Sequence, residues 1–136
     1  MTNNEAARPP IHMIDTEADA LTALAIGAEE RLPQVSAMLL EEIARADIHP
    51  AGEIPADVVT MHASVEFADE ASGTTRTVQL VFPKEADISA GRVSIMTPVG
   101  AGLIGLREGQ SILWPDRDGH ERRLRIVKVR QRPAGA

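Results

Sequence analysis

Residues 100–105, Gly-Ala-Gly-Leu-Ile-Gly, have the G-x-G-x-x-G spacing that lets a backbone turn approach a pyrophosphate in dinucleotide-binding proteins. Glu121 follows near the distance expected for the acid that binds the ribose. The surrounding sequence argues against this chemistry, because Pro98 already opens a helix and the next predicted strand begins only about five residues after Gly105, too soon for a parallel βαβ crossover. We therefore interpret the glycines as the contact side of a short helix packed tightly on a sheet.

Glu29 and Glu30 are the acids best placed for metal chemistry, since they stand side by side in a predicted turn between two helices. Adjacent helical residues diverge by about 100°, so the two carboxylates converge on a magnesium ion only if that turn is irregular. A solvated acidic tip is the simpler interpretation, and an electrostatic role in facing a partner stays open. We predict no metal site at these acids.

The histidines show no metal-ligand spacing and no grouping with a serine and an acid. They are His12, His49, His62 and His120. The chain has no cysteine, which excludes a disulfide, a thiolate nucleophile and a cysteine zinc site and suits a reducing compartment. We therefore predict a protein that is not an enzyme and that needs no cofactor.

Charge is divided unevenly along the chain, whose net charge is -6. Residues 1–57 hold eleven acids and three bases, and residues 58–136 hold nine acids and eleven bases. Such asymmetry suggests an electrostatic partner surface. The bases near the C-terminal end are Arg117, Arg122, Arg123, Arg125, Lys128, Arg130 and Arg132.

Aromatic residues make up only 2% of the chain, namely Phe67, Phe82 and Trp114, so base stacking and aromatic-lined pockets are hardly possible. The C-terminal bases could attract a nucleic-acid backbone, but we favour contact with an acidic protein surface, or pairing with the chain's own acids. Trp114, beside Pro115, is predicted to pack in the core or on a hairpin. No segment approaches the roughly 18 to 20 apolar residues of a membrane span, so we expect a soluble, cytoplasmic and monomeric protein.

Two apolar stripes predict a helical hairpin, a short coiled coil, over residues 15–46 after a loose lead-in of residues 1–14. Thr16 to Asp19 match a capping box, which predicts the start of the first helix, and Pro33 suits the first position of the second. Each arm of about 12 to 14 residues is roughly 20 Å long. The stripes are Leu21, Leu24, Ala25 and Ala28, then Val35, Met38, Leu39, Ile43 and Ala46.

Alternating apolar residues predict strands after a linker of residues 47–57, which contains proline and glycine. The alternation runs over residues 59–67 and again over residues 78–82, on either side of a turn, and predicts an antiparallel pair. A third strand is predicted at residues 93–95. The hydroxyl of Thr97 can then cap the short helix that Pro98 opens and Gly105 ends.

Residues 111–114 and 122–129 flank Asp118-Gly119, a strong turn signal, and so predict a second antiparallel hairpin. The apolar positions of the last strand change phase after Ile126, which indicates either a bulge or a central strand covered on both faces. Residues 58–132 thus form a predicted four- to five-stranded, mostly antiparallel sheet with one short helix, followed by a tail of residues 133–136. The predicted fold class is α+β.

Several short segments of this region resemble the C-terminal domain of the GreA/GreB transcription elongation factors. They are Glu85-Ala86-Asp87, residues 91–95 (GRVSI), Thr97-Pro98 and Leu103-Ile104-Gly105. The chain is similar, more specifically, to the Rnk group, the regulators of nucleoside diphosphate kinase, which joins such a domain to a short helical hairpin. The segments that carry this likeness are residues 57–61 (DVVTM), 101–107 (AGLIGLR), 109–112 (GQSI) and 114–115 (WP).

The resemblance implies an FKBP-like fold for the sheet and binding to RNA polymerase at the entrance of its secondary channel. It points to the segment Met96, Thr97, Pro98 and Val99 as the polymerase-binding edge. Gre factors carry acids at the tip of a long coiled coil that reaches the catalytic magnesium, whereas arms of roughly 20 Å are too short. The resemblance therefore implies a regulator that binds the polymerase, modulating elongation or competing with Gre factors, without stimulating transcript cleavage. Nucleic acid is then a partner at most indirectly, through the polymerase.

Two other functions stay open. An FKBP-like fold also suits a peptidyl-prolyl isomerase or chaperone, although such an active site is lined by aromatics that this chain lacks. The name of the Rnk group suggests direct control of a nucleoside diphosphate kinase. The residues do not distinguish direct control from an effect on gene expression.

Overall fold

The computed structural model describes residues 10–115 and 121–132, which form a mixed α+β structure, as predicted. Within these residues, three short 3-10 turns connect some of the elements. The helices and strands are β1 (His12–Ile14), α1 (Asp15–Gly27), α2 (Pro33–Arg45), β2 (Asp47–His49), β3 (Ser64–Asp69), β4 (Thr75–Val81), β5 (Arg92–Ser94), α3 (Pro98–Leu103), β6 (Ser111–Pro115) and β7 (Glu121–Arg130).

Several predictions concern parts of the chain outside the described residues. They are the Asp118-Gly119 turn, the surroundings of His120, the side chains of Trp114 and Glu121, the lead-in before residue 10 and the tail of residues 133–136. None of the helices in the described part of the chain could span a membrane.

Helices α1 and α2 pack against each other and share one continuous apolar core with the sheet. Leu21 and Ala25 of α1 are buried, as the apolar stripe predicted, and Ala18, which lies outside that stripe, is buried as well. From α2, Leu39 is completely buried. The pair is therefore fixed to the sheet by apolar burial, which short helices need for stability in water.

The predicted capping box at the start of α1 is wrong. The helix begins at Asp15, its N-cap residue is Ile14, and no side chain caps it. The backbone N–H of Thr16 donates to Asp15 Oδ1 at 2.6 Å instead. Because β1 runs directly into α1, strand pairing fixes the entry of the chain into the helix, and a hydroxyl cap is not needed.

The two ends of the helical pair are joined by a small parallel sheet, in which β1 pairs with β2 from His12–Asp47 to Ile14–His49. The N–H of Asp47 also donates to the carbonyl of Ile11 at 2.9 Å. Ile11 and Met13 are each 1% exposed and belong to the main core. Residues 10–14 and 47–49 thus hold the base of the helical pair in place.

The main sheet has the strand order β5-β4-β3-β7-β6. The β4–β5 pair is parallel and the other pairs are antiparallel, so the prediction of a mostly antiparallel sheet is confirmed. The predicted strand over residues 59–67 is wrong in its first half, since β3 begins only at Ser64. His62 has a φ of 69°, outside the β region, and therefore interrupts the strand.

The change of phase in β7 comes from a bulge, which was one of the two predicted explanations. Ile126 pairs with Phe67 and Lys128 pairs with Glu66, the residue just before Phe67, so Val127 has no partner of its own in β3. On β7, Leu124, Ile126 and Val129 are buried, whereas Val127 is 41% exposed. The extra residue turns Val129 back to the core side of the sheet.

Candidate functional site

The start of α3 is held by the hydroxyl of Thr97. Its Oγ1 accepts a hydrogen bond from the N–H of Gly100 at 3.1 Å and donates to the carbonyl of Ser94 at 2.7 Å. Pro98 occupies the first helical position, where its missing N–H leaves no bond unmade. The predicted cap is therefore confirmed, and the Thr97 hydroxyl is already engaged within the chain.

Gly100 has a packing role. A Cβ atom at this position would overlap the carbonyl oxygen of Ser94 and lie 2.8 Å from Ile95 Cα. The backbone of α3 therefore touches the end of β5 directly, and the first glycine of the motif is explained without a nucleotide.

Gly105 joins three segments of the chain. Its φ of +86° favours glycine, and its carbonyl accepts from the N–H of His12 at 3.0 Å. Its own N–H donates to the carbonyl of Val59 at 2.9 Å. A Cβ atom here would lie 2.9 Å from Cβ of Ile11. The predicted end of α3 at Gly105 is confirmed. Through these bonds Gly105 also links β1 to the segment around Val59.

The four residues predicted to contact a partner lie together at the start of α3 but differ in exposure. Pro98 is exposed, Thr97 and Val99 are half-buried, and Met96 is only 6% exposed. Behind this edge, α3 packs against α2 and Met96 belongs to the core. Pro98 is therefore the most exposed residue of the edge, whereas Met96 is part of the core.

Glu29 and Glu30 are exposed in the connection between α1 and α2, the tip of the helical pair. Turn hydrogen bonds shape this connection, including that from the N–H of Arg31 to the carbonyl of Ala28 at 3.1 Å. In the described parts of the chain, no group of His, Cys, Asp or Glu residues is arranged to hold a metal ion. No hydrogen bond or ion pair described there links the tip acids to the α3 edge.

Sequence reasoning missed a polar groove beside His62. The groove is open, with a volume of about 560 Å³, and Glu85, Asp87 and Arg92 are among its lining residues. His62 Nε2 lies 2.8 Å from Glu85 Oε1, and this bond holds the pKa of Glu85 below its usual value. Alternation alone could not reveal the site, because a histidine with positive φ looks like any polar strand residue in the sequence.

Glu17 of α1 contacts the residue next to His62, on the side of the helical pair. Its Oε1 accepts from the N–H of Met61 at 3.1 Å. Burial raises the pKa of Glu17, while the bond from Met61 and the nearby His62 act in the opposite direction. Carboxylates from two regions of the molecule thus approach residues 61–62.

A sequence model of the family "Transcription elongation factor, GreA/GreB, C-term" matches residues 54–131, which include α3 and the whole larger sheet. The chain belongs to this family of transcription elongation factors. It is 33% identical over 130 residues to the regulator of nucleoside diphosphate kinase of Escherichia coli K12, with 96% of each protein covered. The resemblance seen in the sequence is confirmed.

Two further comparisons extend this likeness. GreA of Azorhizobium caulinodans is 37% identical over 94 residues, covering 69% of this chain and 59% of GreA. A solved structure of a transcription elongation factor GreA/GreB from Nitrosomonas europaea has a TM-score of 0.74 and 38% identity, covering 90% of this chain and 99% of that one. The chain is therefore a regulator of the transcription-elongation-factor type.

Proposed function

We propose that this protein is a cytoplasmic, monomeric regulator that binds RNA polymerase at the entrance of the secondary channel through the start of α3. There it modulates elongation or competes with Gre factors, without stimulating transcript cleavage. In this proposal the larger sheet has an FKBP-like fold, and the helical pair is a short coiled-coil hairpin. The observation that carries the proposal is the shape of α3, a rigid, capped turn that presents Pro98 outward.

Rigidity supports this contact edge. Thr97 closes the first turn by two hydrogen bonds, and Gly100 lies against the backbone of β5. A preorganised edge loses little conformational freedom when a partner binds, so more of the contact energy appears as affinity.

Helix length supports the absence of cleavage. Helices α1 and α2 have 13 residues each, which corresponds to roughly 20 Å at 1.5 Å per residue. A tip at that distance occupies the mouth of a channel and stays short of a deeply placed catalytic centre. The exposed Glu29 and Glu30 then act only through their charge.

Retention on immobilised core RNA polymerase tests the contact edge. We expect Pro98→Glu to reduce retention about tenfold, because a charged side chain at the centre of an interface must be desolvated. Pro83→Glu is the matched control, since Pro83 is likewise an exposed proline at the first position of a short helical turn. Equal retention of both variants, and of the doubly charged variant Thr97→Glu with Pro98→Glu, would show that the assignment is wrong.

A cleavage assay on stalled elongation complexes tests the reach of the helical pair. The chain should add no transcript cleavage, and an excess should reduce the cleavage stimulated by GreA, whereas Pro98→Glu should not compete. Strong cleavage by the chain alone contradicts the proposed reach.

The likeness to a regulator of nucleoside diphosphate kinase favours a second candidate, direct control of that kinase. A pull-down from cell lysate, scored for polymerase subunits and for the kinase, separates the two. Capture of the polymerase supports the first proposal. Capture of the kinase without the polymerase supports the second and excludes the first.

A further inference from the structure

The outer face of β7 carries a group of exposed cations, which we call the basic face. Its members are Arg123, Arg125, Lys128 and Arg130. The opposite face of the strand packs into the core through Leu124, Ile126 and Val129. The whole chain has a net charge of -6, so this face is a local concentration of positive charge on an acidic protein.

The bulge at Val127 is what brings these cations onto one face. In a regular strand, side chains alternate, so Arg125 and Lys128 would point to opposite faces of the sheet. The extra residue shifts the phase, and Lys128 and Arg130 consequently join Arg125 on the solvent side. The residues of β3 that pair with Arg130, Lys128 and Arg125 are two positions apart from one to the next. Neighbouring cations are therefore spaced by about 7 Å along the strand.

Most of this charge has no ion-pair partner among the described residues. Arg123 lies 3.7 Å from Glu70, both groups being largely exposed. Across residues 10–115 and 121–132, no ion pair involves Arg125, Lys128 or Arg130. Two acids border the row: Glu66 stands opposite Lys128, and Glu108 accepts a hydrogen bond from the N–H of Val129 at 2.8 Å.

The neighbours of the basic face are small or polar. Ser64 stands opposite Arg130, Thr77 stands opposite Glu66, and Ala68 stands opposite Arg125. Protein interfaces usually have a core of large apolar or aromatic side chains surrounded by polar residues. The described part of this face lacks such a core, since Phe67 is buried on the other side and Val127 is its only large apolar residue. Arginine, lysine and hydroxyl groups are the usual partners of phosphate oxygens.

We propose that the basic face binds the phosphate backbone of single-stranded nucleic acid, DNA or RNA, independently of sequence. An extended row of cations along one strand follows a single backbone, and without stacking aromatics the bases are not distinguished. The interaction is weak and sensitive to salt because the rest of the chain is acidic. This site goes beyond the proposed polymerase contact, which lies at α3.

Fluorescence anisotropy with oligothymidylate and oligouridylate of about 16 nucleotides tests the proposal. The face variant combines Arg125→Gln, Lys128→Gln and Arg130→Gln. The control variant combines Arg31→Gln, Lys84→Gln and Arg92→Gln, which removes the same charge from exposed positions elsewhere. Thermal unfolding of both variants establishes that they are folded.

We expect the face variant to lose at least about tenfold in affinity and the control less than threefold. For wild type, the logarithm of the binding constant should fall with the logarithm of salt concentration with a slope of roughly -2 for three phosphates. In the face variant this slope should approach zero. Glu66→Gln should raise affinity severalfold, because it removes the acid opposite Lys128.

Equal losses in the two triple variants would overturn the proposal, since they would reflect net charge alone. Tighter binding to a duplex of the same length would overturn the choice of a single strand. Binding of wild type to polyglutamate, but to neither oligonucleotide, would identify an acidic protein surface as the partner instead. Polymerase retention after nuclease treatment should be equal in wild type and the face variant, which separates this site from the α3 edge.

Discussion

Helix α3 and the helical pair of α1 and α2 show two different ways of keeping short helices folded. In α3, six residues are held by a hydroxyl cap and by Gly100, which allows the helix backbone to touch the end of β5. Helices α1 and α2 are longer, begin without a side-chain cap, and depend on apolar stripes and on the β1–β2 pair at their base. Small changes in α3 should therefore be costly, whereas the helical pair should tolerate or even gain from similar changes.

The largest expected difference is between two glycines. Gly100→Ala should lower the free energy of unfolding by roughly 2–3 kcal/mol, because the added methyl group overlaps the backbone of Ser94 and Ile95. Gly27→Ala in α1 should raise it by about 0.5 kcal/mol, since the position is open and alanine has the higher helix propensity. Denaturant unfolding measures both, and a similar loss in the two variants would contradict the contrast between the regions.

Two threonines provide the next comparison. Thr97→Ala should cost about 1 kcal/mol of unfolding free energy, because the N–H of Gly100 loses its acceptor. Thr97→Ser should restore most of that loss. Thr16→Ala should change stability by no more than about 0.5 kcal/mol, since no cap is lost at an exposed position. Midpoints of urea unfolding rank the three variants. A large loss of stability in Thr16→Ala would indicate that Thr16 does cap α1, as the capping box predicted.

Ser36 sharpens the comparison of hydroxyl groups. This residue of α2 is fully buried, and its Oγ has no hydrogen-bond partner among the described residues, in contrast to the doubly bonded Thr97. Ser36→Ala should therefore stabilise the protein by about 1 kcal/mol, because an unsatisfied buried hydroxyl is removed. Thermal unfolding measures this change. The variant Ser36→Val tests whether the site can accommodate a larger apolar side chain. Destabilisation by alanine would mean that the hydroxyl has a partner.

The smallest effects concern the carboxylates on either side of residues 61–62. The pKa of Glu17 is raised above its ordinary value of 4.5, so its protonation favours the folded state as pH falls through the raised value. The pKa of Glu85 is lowered, so its contribution is present above 4.5 and is lost as pH falls through the folded value.

Glu17→Gln should therefore flatten the gain in stability as pH falls toward 4.5, and Glu85→Gln should reduce the loss below 4.5. Glutamine at position 17 can still accept from the N–H of Met61, which makes it a conservative change. Unfolding midpoints measured from neutral pH to well below pH 4.5 test both expectations. The same pH profile for all three proteins would show that neither carboxylate is linked to folding.

Local signals in the sequence were enough to predict α3, both predicted antiparallel pairs and the bulge as one of two possibilities. Thr97, Pro98 and Gly105 each act through residues close in the chain, so their effect is readable from spacing. The errors arose where distant segments decide the backbone. Val59 is bonded to the loop after α3 and His62 takes a positive φ, neither of which alternation can reveal.

The position of the proposed contact edge at a helix start could be predicted from the sequence, whereas the burial of its individual residues could not. The segment from Met96 to Val99 does lie together at one helix start, yet burial of Met96 depends on packing with α2 and the sheet. The groove at His62 and the alignment of cations on β7 also depend on tertiary structure. A run of bases in the sequence shows the charge but not which face of a strand bears it.

Because of the β1–β2 pair, the length of the helical pair could be changed by insertions without altering its base. Because both ends of the helical pair are fastened at one place, residues added symmetrically on either side of the connection 28–32 leave the attachment to the sheet unchanged. One heptad inserted in each helix would extend the helical pair by about 10 Å. A series of such insertions would measure how long the helical pair must be before Glu29 and Glu30 reach the interior of the proposed partner.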